Sequence, residues 1–174
     1  MTAGFDPQPT LRGELLELRP LRPDDFDALY AVASDPLLWE QHPDSDRWQE
    51  PVFRRFFADA LASGGALLVT DRATGEVIGS SRYHGYDAAA RVVEVGWSFL
   101  ARKYWGGRYN GEMKRLMLAH AFQSVDRVAF IIGPENWRSR KAVEKIGGRL
   151  VGTVTDARGR PRVRYEITRD SASA

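Results

Sequence analysis

The segment Trp105–Gly111, with the sequence WGGRYNG, is rich in glycine and lies between a strand-like stretch and an amphipathic helix. A loop that joins a strand to the N-terminus of a helix directs several backbone N–H groups at one point, where the helix dipole adds partial positive charge. Glycines let such a backbone approach a ligand closely and adopt positive φ values. The segment therefore has the composition of an anion site, although a plain strand-to-helix turn uses the same residue types.

Two better-known phosphate-binding loops are excluded by individual residues. Gly106 and Gly111 have P-loop spacing, but Glu112 and Met113 follow them where that motif requires Lys and Ser or Thr. A dinucleotide fingerprint would need glycine at the position of Arg108. Neither nucleotide–Mg²⁺ chemistry nor NAD chemistry therefore fits this loop.

A second motif completes a resemblance to a known family. The stretches FLARKYWGGRYNGEMKRLMLAHAF and GPENWRSRKAVEKIGG together resemble the GNAT N-acetyltransferase superfamily, close to its RimJ/RimL branch. The order of elements agrees with that family from about Leu15 to Thr168. In the family the signature Q/R-x-x-G-x-G/A holds the pyrophosphate of coenzyme A. Here Trp105, Arg108 and Asn110 occupy its Q/R, first Gly and Gly/Ala positions.

The resemblance implies acetyl-CoA as co-substrate and predicts which residues contact it. Asn110 tolerates left-handed geometry, so the backbone cradle can form despite the substitutions, and Arg108 either contacts phosphate or points into solvent. The residues expected to bind acetyl-CoA are Trp97, Phe99, Leu100, Gly106, Gly107, Arg108, Tyr109, Asn110, Gly111, Asn136 and Ser139.

Asn136 and Ser139 begin the second motif and each has two interpretations. From its position before a helix, Asn136 is expected to be an N-cap, and Ser139 an ordinary residue of the first turn. The resemblance implies that Asn136 contacts the pantetheine arm. Many relatives place a tyrosine in this helix to protonate the leaving thiolate, but Val143 stands there, and the resemblance makes Ser139 the candidate acid.

Glu94 lies within the strand-like stretch RVVEVGWSFL. Strict alternation places Glu94 and Ser98 on one face of the strand, and Val95 and Trp97 on the other. From the residues alone Glu94 is an outward, solvated carboxylate. The resemblance implies a catalytic role, since several relatives use a glutamate on this strand as the base that deprotonates the acceptor amine.

Three residues are candidates for binding the acceptor substrate. Tyr83 and His84 end a strand on the side where the resemblance places the acceptor, and Trp39 belongs to the variable segment that lines acceptor sites in relatives. The alternatives are a surface histidine near a turn for His84 and an aromatic core residue for Trp39.

The rest of the chain supplies the elements that position these residues. The pattern predicts the order β-α-α-β-β-β-α-β-α-β-β in one α/β domain over residues 11–170, with a disordered stretch at 1–10 and a frayed tail at 171–174. The resemblance implies a mixed, mostly antiparallel twisted sheet with helices on both faces. Its central strands are expected to splay at VGWSFL and AFIIGP to admit the cofactor.

Composition narrows the classes of function. The 174 residues, 43% of them hydrophobic and 28% charged, suit one soluble domain with a full core. Cysteine is absent, which excludes disulfides, thiolate zinc sites and a cysteine acyl-enzyme. The three histidines lack metal-ligand spacing, so we predict no metal.

Charge and hydropathy narrow the choice of partners. The formal net charge is +2, and the basic residues are interleaved with acids, so nucleic acid is not the expected partner. A local basic excess beside the glycine-rich loop suits a small polyanionic ligand. No apolar run approaches the roughly 18 residues of a membrane span, and the N-terminus resembles no secretory signal, so we expect a cytoplasmic protein.

The expected function is direct transfer of an acetyl group from acetyl-CoA to a primary amine of a protein N-terminus or small molecule. Two alternatives remain open at this stage: a non-catalytic acyl-CoA sensor with this fold, or an α/β module that binds another phosphate ligand. Exposed aromatic residues around Trp39 and Trp48 would suit a substrate wall or a homodimer contact.

Overall fold

The computed structural model describes residues 4–172, which form one eight-stranded sheet with helices on both faces. The strands are β1 (Leu11–Arg12), β2 (Leu16–Pro20), β3 (Ala66–Asp71), β4 (Val77–Asp87), β5 (Val92–Leu100), β6 (Arg127–Ile132), β7 (Arg149–Thr155) and β8 (Pro161–Thr168). The helices are α1 (Phe26–Ala33), α2 (Glu50–Ser63), α3 (Tyr109–Ala121), α4 (Trp137–Lys145) and the short α5 (Arg169–Ala172).

The sheet has the order β1-β2-β3-β4-β5-β6-β8-β7 and is antiparallel except where β5 meets β6. Because β5 and β6 are parallel, their carboxyl ends lie at the same edge, and the helices that follow them, α3 and α4, begin there together. The two strands pair only at Val92–Glu94 of β5 and then diverge. The predicted fold class, including the splayed central strands, is confirmed.

Alternating side chains divide the core between the two faces of the sheet. In β3, Leu67 and Val69 pack in the cluster that contains α3, whereas Leu68 packs in the cluster that contains α1 and α2. On α2, Phe53, Phe57 and Ala60 recur at helical spacing and are buried in the latter cluster. Helix α3 and helices α1 and α2 thus cover opposite faces of the strands around the splay.

The strand β5 contains a bulge that the alternation argument did not foresee. Opposite β4, the register shifts between Ser80 and Arg82, and Trp97 adopts a left-handed φ of 52°. From the bulge onward, side chains that strict alternation would place on one face of the sheet lie on the other. Trp97 therefore packs in the cluster that contains α2, and Ser98 points toward α3, where it accepts a hydrogen bond from Lys114. The expectation that Ser98 shares a face with Glu94 was wrong, because one extra residue on the strand reverses the alternation.

The ends of the chain differ in part from expectation. Within the stretch expected to be disordered, Phe5 is buried and its ring lies 4.9 Å from that of Tyr83; residues 1–3 lie outside the described chain. In the expected tail, residues 171–172 belong to α5, and residues 173–174 are likewise outside. Across residues 4–172, no helix is both long and apolar enough to cross a bilayer.

Candidate active site

A cavity of about 240 Å³ occupies the gap between the diverging ends of β5 and β6. Its walls come from both faces of the sheet: Met113 and Val143 from the α3 and α4 side, and Trp39 and Phe99 from the α2 side. The cavity therefore passes through the splay. Beyond Glu94, β5 has no strand partner on the side of β6, so its backbone polar groups there are open to the cavity.

The glycine-rich loop contributes part of itself to this cavity. Gly106 and Asn110 line it, and Gly106 has a φ of 74°, a conformation that glycine adopts without strain. Arg108 is the N-cap of α3 and makes no side-chain cap, so the first-turn N–H groups keep free donor capacity. Its guanidinium is exposed and lies 3.3 Å from a carboxylate oxygen of Glu14.

Three other predicted loop contacts lie outside the cavity lining. Gly107 and Gly111 are absent from the lining, and neither needs glycine for its φ. The Tyr109 hydroxyl instead donates to Asp71 over 3.4 Å. Of the segment, the structure thus brings Gly106 and Asn110 to the cavity, along with Trp105, whose ring lies 3.8 Å from the Arg138 guanidinium.

The start of α4 forms the facing wall. Asn136 is buried and lines the cavity, and its side chain makes no capping hydrogen bond to the helix. The N-cap interpretation therefore accounts for its position but not for its side chain. Ser139 also lines the cavity from the first turn of α4, as does Arg138, whose backbone N–H donates to Gln41.

The β5 contacts expected for the cofactor also reach the cavity. Trp97, Phe99 and Leu100 line it, together with Ser98 between them. Phe99 and Leu100 are buried on opposite faces of the sheet, as consecutive strand residues are. The splayed end of β5 thus presents six consecutive residues, 95–100, to one space.

The carboxyl group of Glu94 lies just beside the cavity. Glu94 does not line it, but Gly96 does, and a Cβ added to Gly96 would lie 3.2 Å from Glu94 Oε2. Burial raises the pKa of Glu94 to about 7, while the nearby guanidinium groups of Arg164, Arg82 and Arg162 oppose that rise. A carboxyl group with this pKa can accept and release a proton near neutral pH.

A lysine that the sequence analysis did not single out occupies the splay itself. Lys114 extends from α3, lines the cavity, and its Nζ donates to Ser98 Oγ over 2.7 Å. Ser98 Oγ is 2.8 Å from Ser81 Oγ, which extends the hydrogen-bonded chain across to β4. Burial lowers the pKa of Lys114 to about 8.

The α2 side of the cavity is lined by basic and aromatic groups. Arg47 is buried, with its guanidinium 4.5 Å from the ring centre of Phe56 and its Nη2 donating to Asp44 over 2.9 Å. Beside it, burial lowers the pKa of His42 to about 3, so the ring is neutral. Trp39 lines the same wall, where it is buried and donates Nε1–H to Ala33.

The other two predicted acceptor residues do not line the cavity. Tyr83 is buried under α3, where its hydroxyl donates to the Met117 carbonyl over 2.6 Å. His84 is exposed, opposite Glu94 in the β4–β5 register and 5.2 Å from the Trp97 ring. Arg82, between them and the bulge, is buried with Nε and Nη2 unpartnered within the described residues.

The charged residues in the described cavity lining are all basic. Of the described residues that line it, none is Asp or Glu, whereas Arg47, Lys114, Arg138 and Arg162 are basic. Residues 4–172 offer no group of three or more His, Cys, Asp or Glu side chains suited to a metal ion. Such a cavity suits an anionic ligand rather than a cation.

The sequence held a signal for some of the missed residues. Lys114 falls on the apolar face of α3, with Met117 and Leu118 one turn later, and a lysine on such a face is expected to be buried. Arg138 follows Asn136 in the first turn of α4, where an anion would bind. Arg47 and Arg162 come from distant segments, and no local pattern connects them.

Comparisons with known proteins place this geometry among acetyltransferases. A model of the acetyltransferase (GNAT) domain family matches residues 16–149. No curated protein matches the sequence of the chain.

Solved structures share the fold over nearly the whole chain. A GCN5-related N-acetyltransferase from Brucella melitensis has a TM-score of 0.84 and 21% identity, covering 96% of this chain and 81% of that one. A GNAT-family acetyltransferase from Bacillus anthracis has a TM-score of 0.76 and 21% identity, covering 93% and 99%. RimJ from Mycobacterium smegmatis, in complex with CoA-disulfide, has a TM-score of 0.66 and 20% identity, covering 93% and 87%.

Proposed function

Because the chain belongs to the acetyltransferase (GNAT) domain family, we propose that it transfers an acetyl group from acetyl-CoA directly to a primary amine. The acceptor is the N-terminus of a protein or an amine-bearing small molecule. The observation that carries the proposal is the cavity through the splay, with a proton-accepting carboxyl group beside it and the N-termini of α3 and α4 at its edge.

The residues present fit coenzyme A. The free N–H groups at the start of α3 and the left-handed turn at Gly106 offer donors for the pyrophosphate. Asn136, with an amide not used as a cap, and the open backbone edge of Trp97–Leu100 offer partners for the amides of the pantetheine arm. A relative of this fold, RimJ from Mycobacterium smegmatis, has been solved with CoA-disulfide, which supports the same ligand class here.

The reaction needs an amine free of its extra proton and a thioester held next to it. Glu94 is suited to take that proton, directly or through one water, because its carboxyl group lies beside the cavity wall at Gly96. The backbone amides of the splayed β5 segment polarise the acyl carbonyl, and Ser139 offers a hydroxyl to the same cavity. Since the chain has no cysteine, the amine is expected to attack the thioester within a ternary complex.

Initial-rate kinetics test this proposal. The rate of CoA thiol release is measured over a grid of acetyl-CoA and amine concentrations, with N-terminal peptides and small amines as acceptors. A ternary complex predicts intersecting reciprocal plots and equal amounts of thiol and acetylated amine. Parallel plots would contradict direct transfer, and tight acetyl-CoA binding with no acetylation of any amine would favour the sensor alternative.

A further inference from the structure

Lys114 places its ammonium group between the two splayed strands. Its Nζ is 2.7 Å from Ser98 Oγ on β5 and 5.9 Å from the ring centre of Phe130 on β6. The residue is only 6% exposed, yet it lines the cavity. Any arm threaded through the splay must therefore pass close to this nitrogen.

Within the part of the chain that the structure describes, the ammonium group of Lys114 has no paired counter-charge. Among residues 4–172 no carboxylate forms an ion pair with Lys114, and its single hydrogen-bond acceptor is the neutral Ser98 hydroxyl. The other titratable or basic groups that face the cavity are His42, Arg47, Arg138 and Arg162, and none supplies negative charge. A buried cation in this position is costly unless a ligand brings or develops negative charge beside it.

We propose that Lys114 donates the proton that the CoA thiolate takes up as it leaves the acetyl group. This inference rests on the proposed function, because the thioester must lie in the splay for Nζ to reach its sulfur. The departing sulfur is the place in the reaction where negative charge is left behind. Lys114 stands on the same cavity wall as Val143, the position where no tyrosine is present to serve as acid.

The proton transfer balances the reaction without another reactant. When the C–S bond breaks, its electron pair goes to sulfur, and an Nζ–H bond of the ammonium group gives its proton to that sulfur. Lys114 is left neutral and takes a proton from water after the thiol departs. The protonated acceptor amine loses two protons, the first before it attacks the thioester and the second as the tetrahedral intermediate collapses to the amide. Glu94 passes each in turn to solvent, and Lys114 takes one back from water, so the reaction releases one net proton.

Lys114 is better suited to this step than Ser139. An ammonium group whose pKa is lowered to about 8 by burial is a far stronger acid than a serine hydroxyl, and it also attracts the thiolate electrostatically. Ser139, which lines the cavity from α4, is then an orienting hydroxyl.

The first test measures bound CoA and needs no turnover. CoA thiol ionisation is followed by the ultraviolet absorbance of the thiolate, in free CoA and in CoA bound to the wild-type protein, Lys114→Met and Lys141→Met. Lys141 is exposed on α4 and serves as the matched control. We expect the wild type and Lys141→Met to lower the pKa of the bound thiol, and Lys114→Met to abolish that shift. Equal thiol pKa values in the wild type and in Lys114→Met would overturn the proposal. So would a wild-type thiol pKa below the value of about 8 for Lys114, because the thiolate would then not take the ammonium proton.

The second test varies the leaving group. Lys114→Met should lower kcat with acetyl-CoA by roughly 10²-fold or more, and by less than about tenfold with an acetyl thioester of an acidic aromatic thiol, which leaves without a proton. Equal losses of kcat with both donors would mean that Lys114 stabilises charge on the carbonyl oxygen or only supports the fold. That result would overturn the proposal.

The experiments distinguish an error in the role of Lys114 from an error in the proposed function. Suppose that the wild-type protein binds CoA and acetylates an amine, but that Lys114→Met changes neither the pKa of the bound thiol nor the dependence of kcat on the leaving group. Then only the role of Lys114 is wrong. If the wild-type protein does not bind CoA, the proposed function and this inference are both wrong.

Discussion

Burial shifts the pKa values of Glu94 and Lys114 in opposite directions, so that the two values become similar. It raises the pKa of the Glu94 carboxyl group to about 7 and lowers the pKa of the Lys114 ammonium group to about 8. An acid and a base that both titrate near neutral pH can exchange protons with reactants during turnover. Glu94 lies beside Gly96, before the bulge, and Lys114 meets Ser98 beyond it, so the bulge separates the two groups.

Glu94 is expected to set the acidic limit of activity. Its carboxylate is the form that accepts a proton, so kcat/KM for the wild-type enzyme should fall as pH drops below about 7, where Glu94 becomes protonated. Glu94→Gln should lower kcat by roughly 10²- to 10⁴-fold and remove this limb, with little change in acetyl-CoA affinity. The measurement is a pH profile of kcat/KM with an acceptor amine of known pKa.

Protonation of the acceptor amine also lowers kcat/KM at low pH. This part of the pH profile is expected in both the wild type and Glu94→Gln. Glu50→Gln provides the matched control, because Glu50 is exposed on α2 and pairs with Arg54. Unchanged turnover of Glu94→Gln at every pH would remove Glu94 from the role of base.

For single residues, the sequence indicated where the backbone of a site residue lies in the fold better than what surrounds its side chain. Asn136 and Gly106 could be placed because the motifs fix their distance from a helix start. Tyr83 was expected at the acceptor site but is turned into the core under α3, since alternation on β4 gives it the apolar face. The burial of Arg47 depends on contacts with distant segments, which a single sequence does not reveal.

At the scale of elements, the parallel contact of β5 and β6 does most to build the site. It brings the starts of α3 and α4 to one edge, and its short length leaves the strand ends free to separate. The bulge at Trp97 then directs Ser98 to the α3 side of the gap.

Helices and strands with clear periodicity were predictable from the sequence, including α2, whose phenylalanines recur at helical spacing. The two-residue strand β1 was not, because so short a strand carries no periodic signal. The bulge was also missed, because Trp97 takes a left-handed φ that tryptophan rarely adopts, and only the pairing with β4 reveals it.

The glycine-rich loop allows a matched test of its backbone geometry. Gly106 has a φ of 74°, whereas its neighbour Gly107 has no left-handed φ, and both have open space where a Cβ would lie. Gly106→Ala should therefore strain the loop by roughly 1–2 kcal/mol and weaken acetyl-CoA binding on the order of tenfold. Gly107→Ala should change the affinity little.

Calorimetric titration of both variants with acetyl-CoA measures the difference. Equal affinities in Gly106→Ala and Gly107→Ala would mean that the left-handed turn does not shape the cofactor site.

At the scale of the whole molecule, the open sheet provides one passage from the α3–α4 face to the α2 face. Anion-binding groups lie at the helix starts, the proposed acid lies in the splay, and Glu94 lies beside the passage. In the proposed reaction, acetyl-CoA and an amine would meet within this passage. The charged residues among the described lining are basic, and a positive potential of this kind favours an anionic ligand.

Titration of the purified protein with acetyl-CoA by calorimetry, with ATP and NAD as controls, tests whether the splay is a coenzyme A site. We expect micromolar binding of acetyl-CoA and no comparable binding of the two controls, since only acetyl-CoA carries the pantetheine arm that fits the splay. Absence of acetyl-CoA binding would contradict a cofactor site at the splay. Equal or tighter binding of ATP or NAD would instead indicate a site for another phosphate ligand.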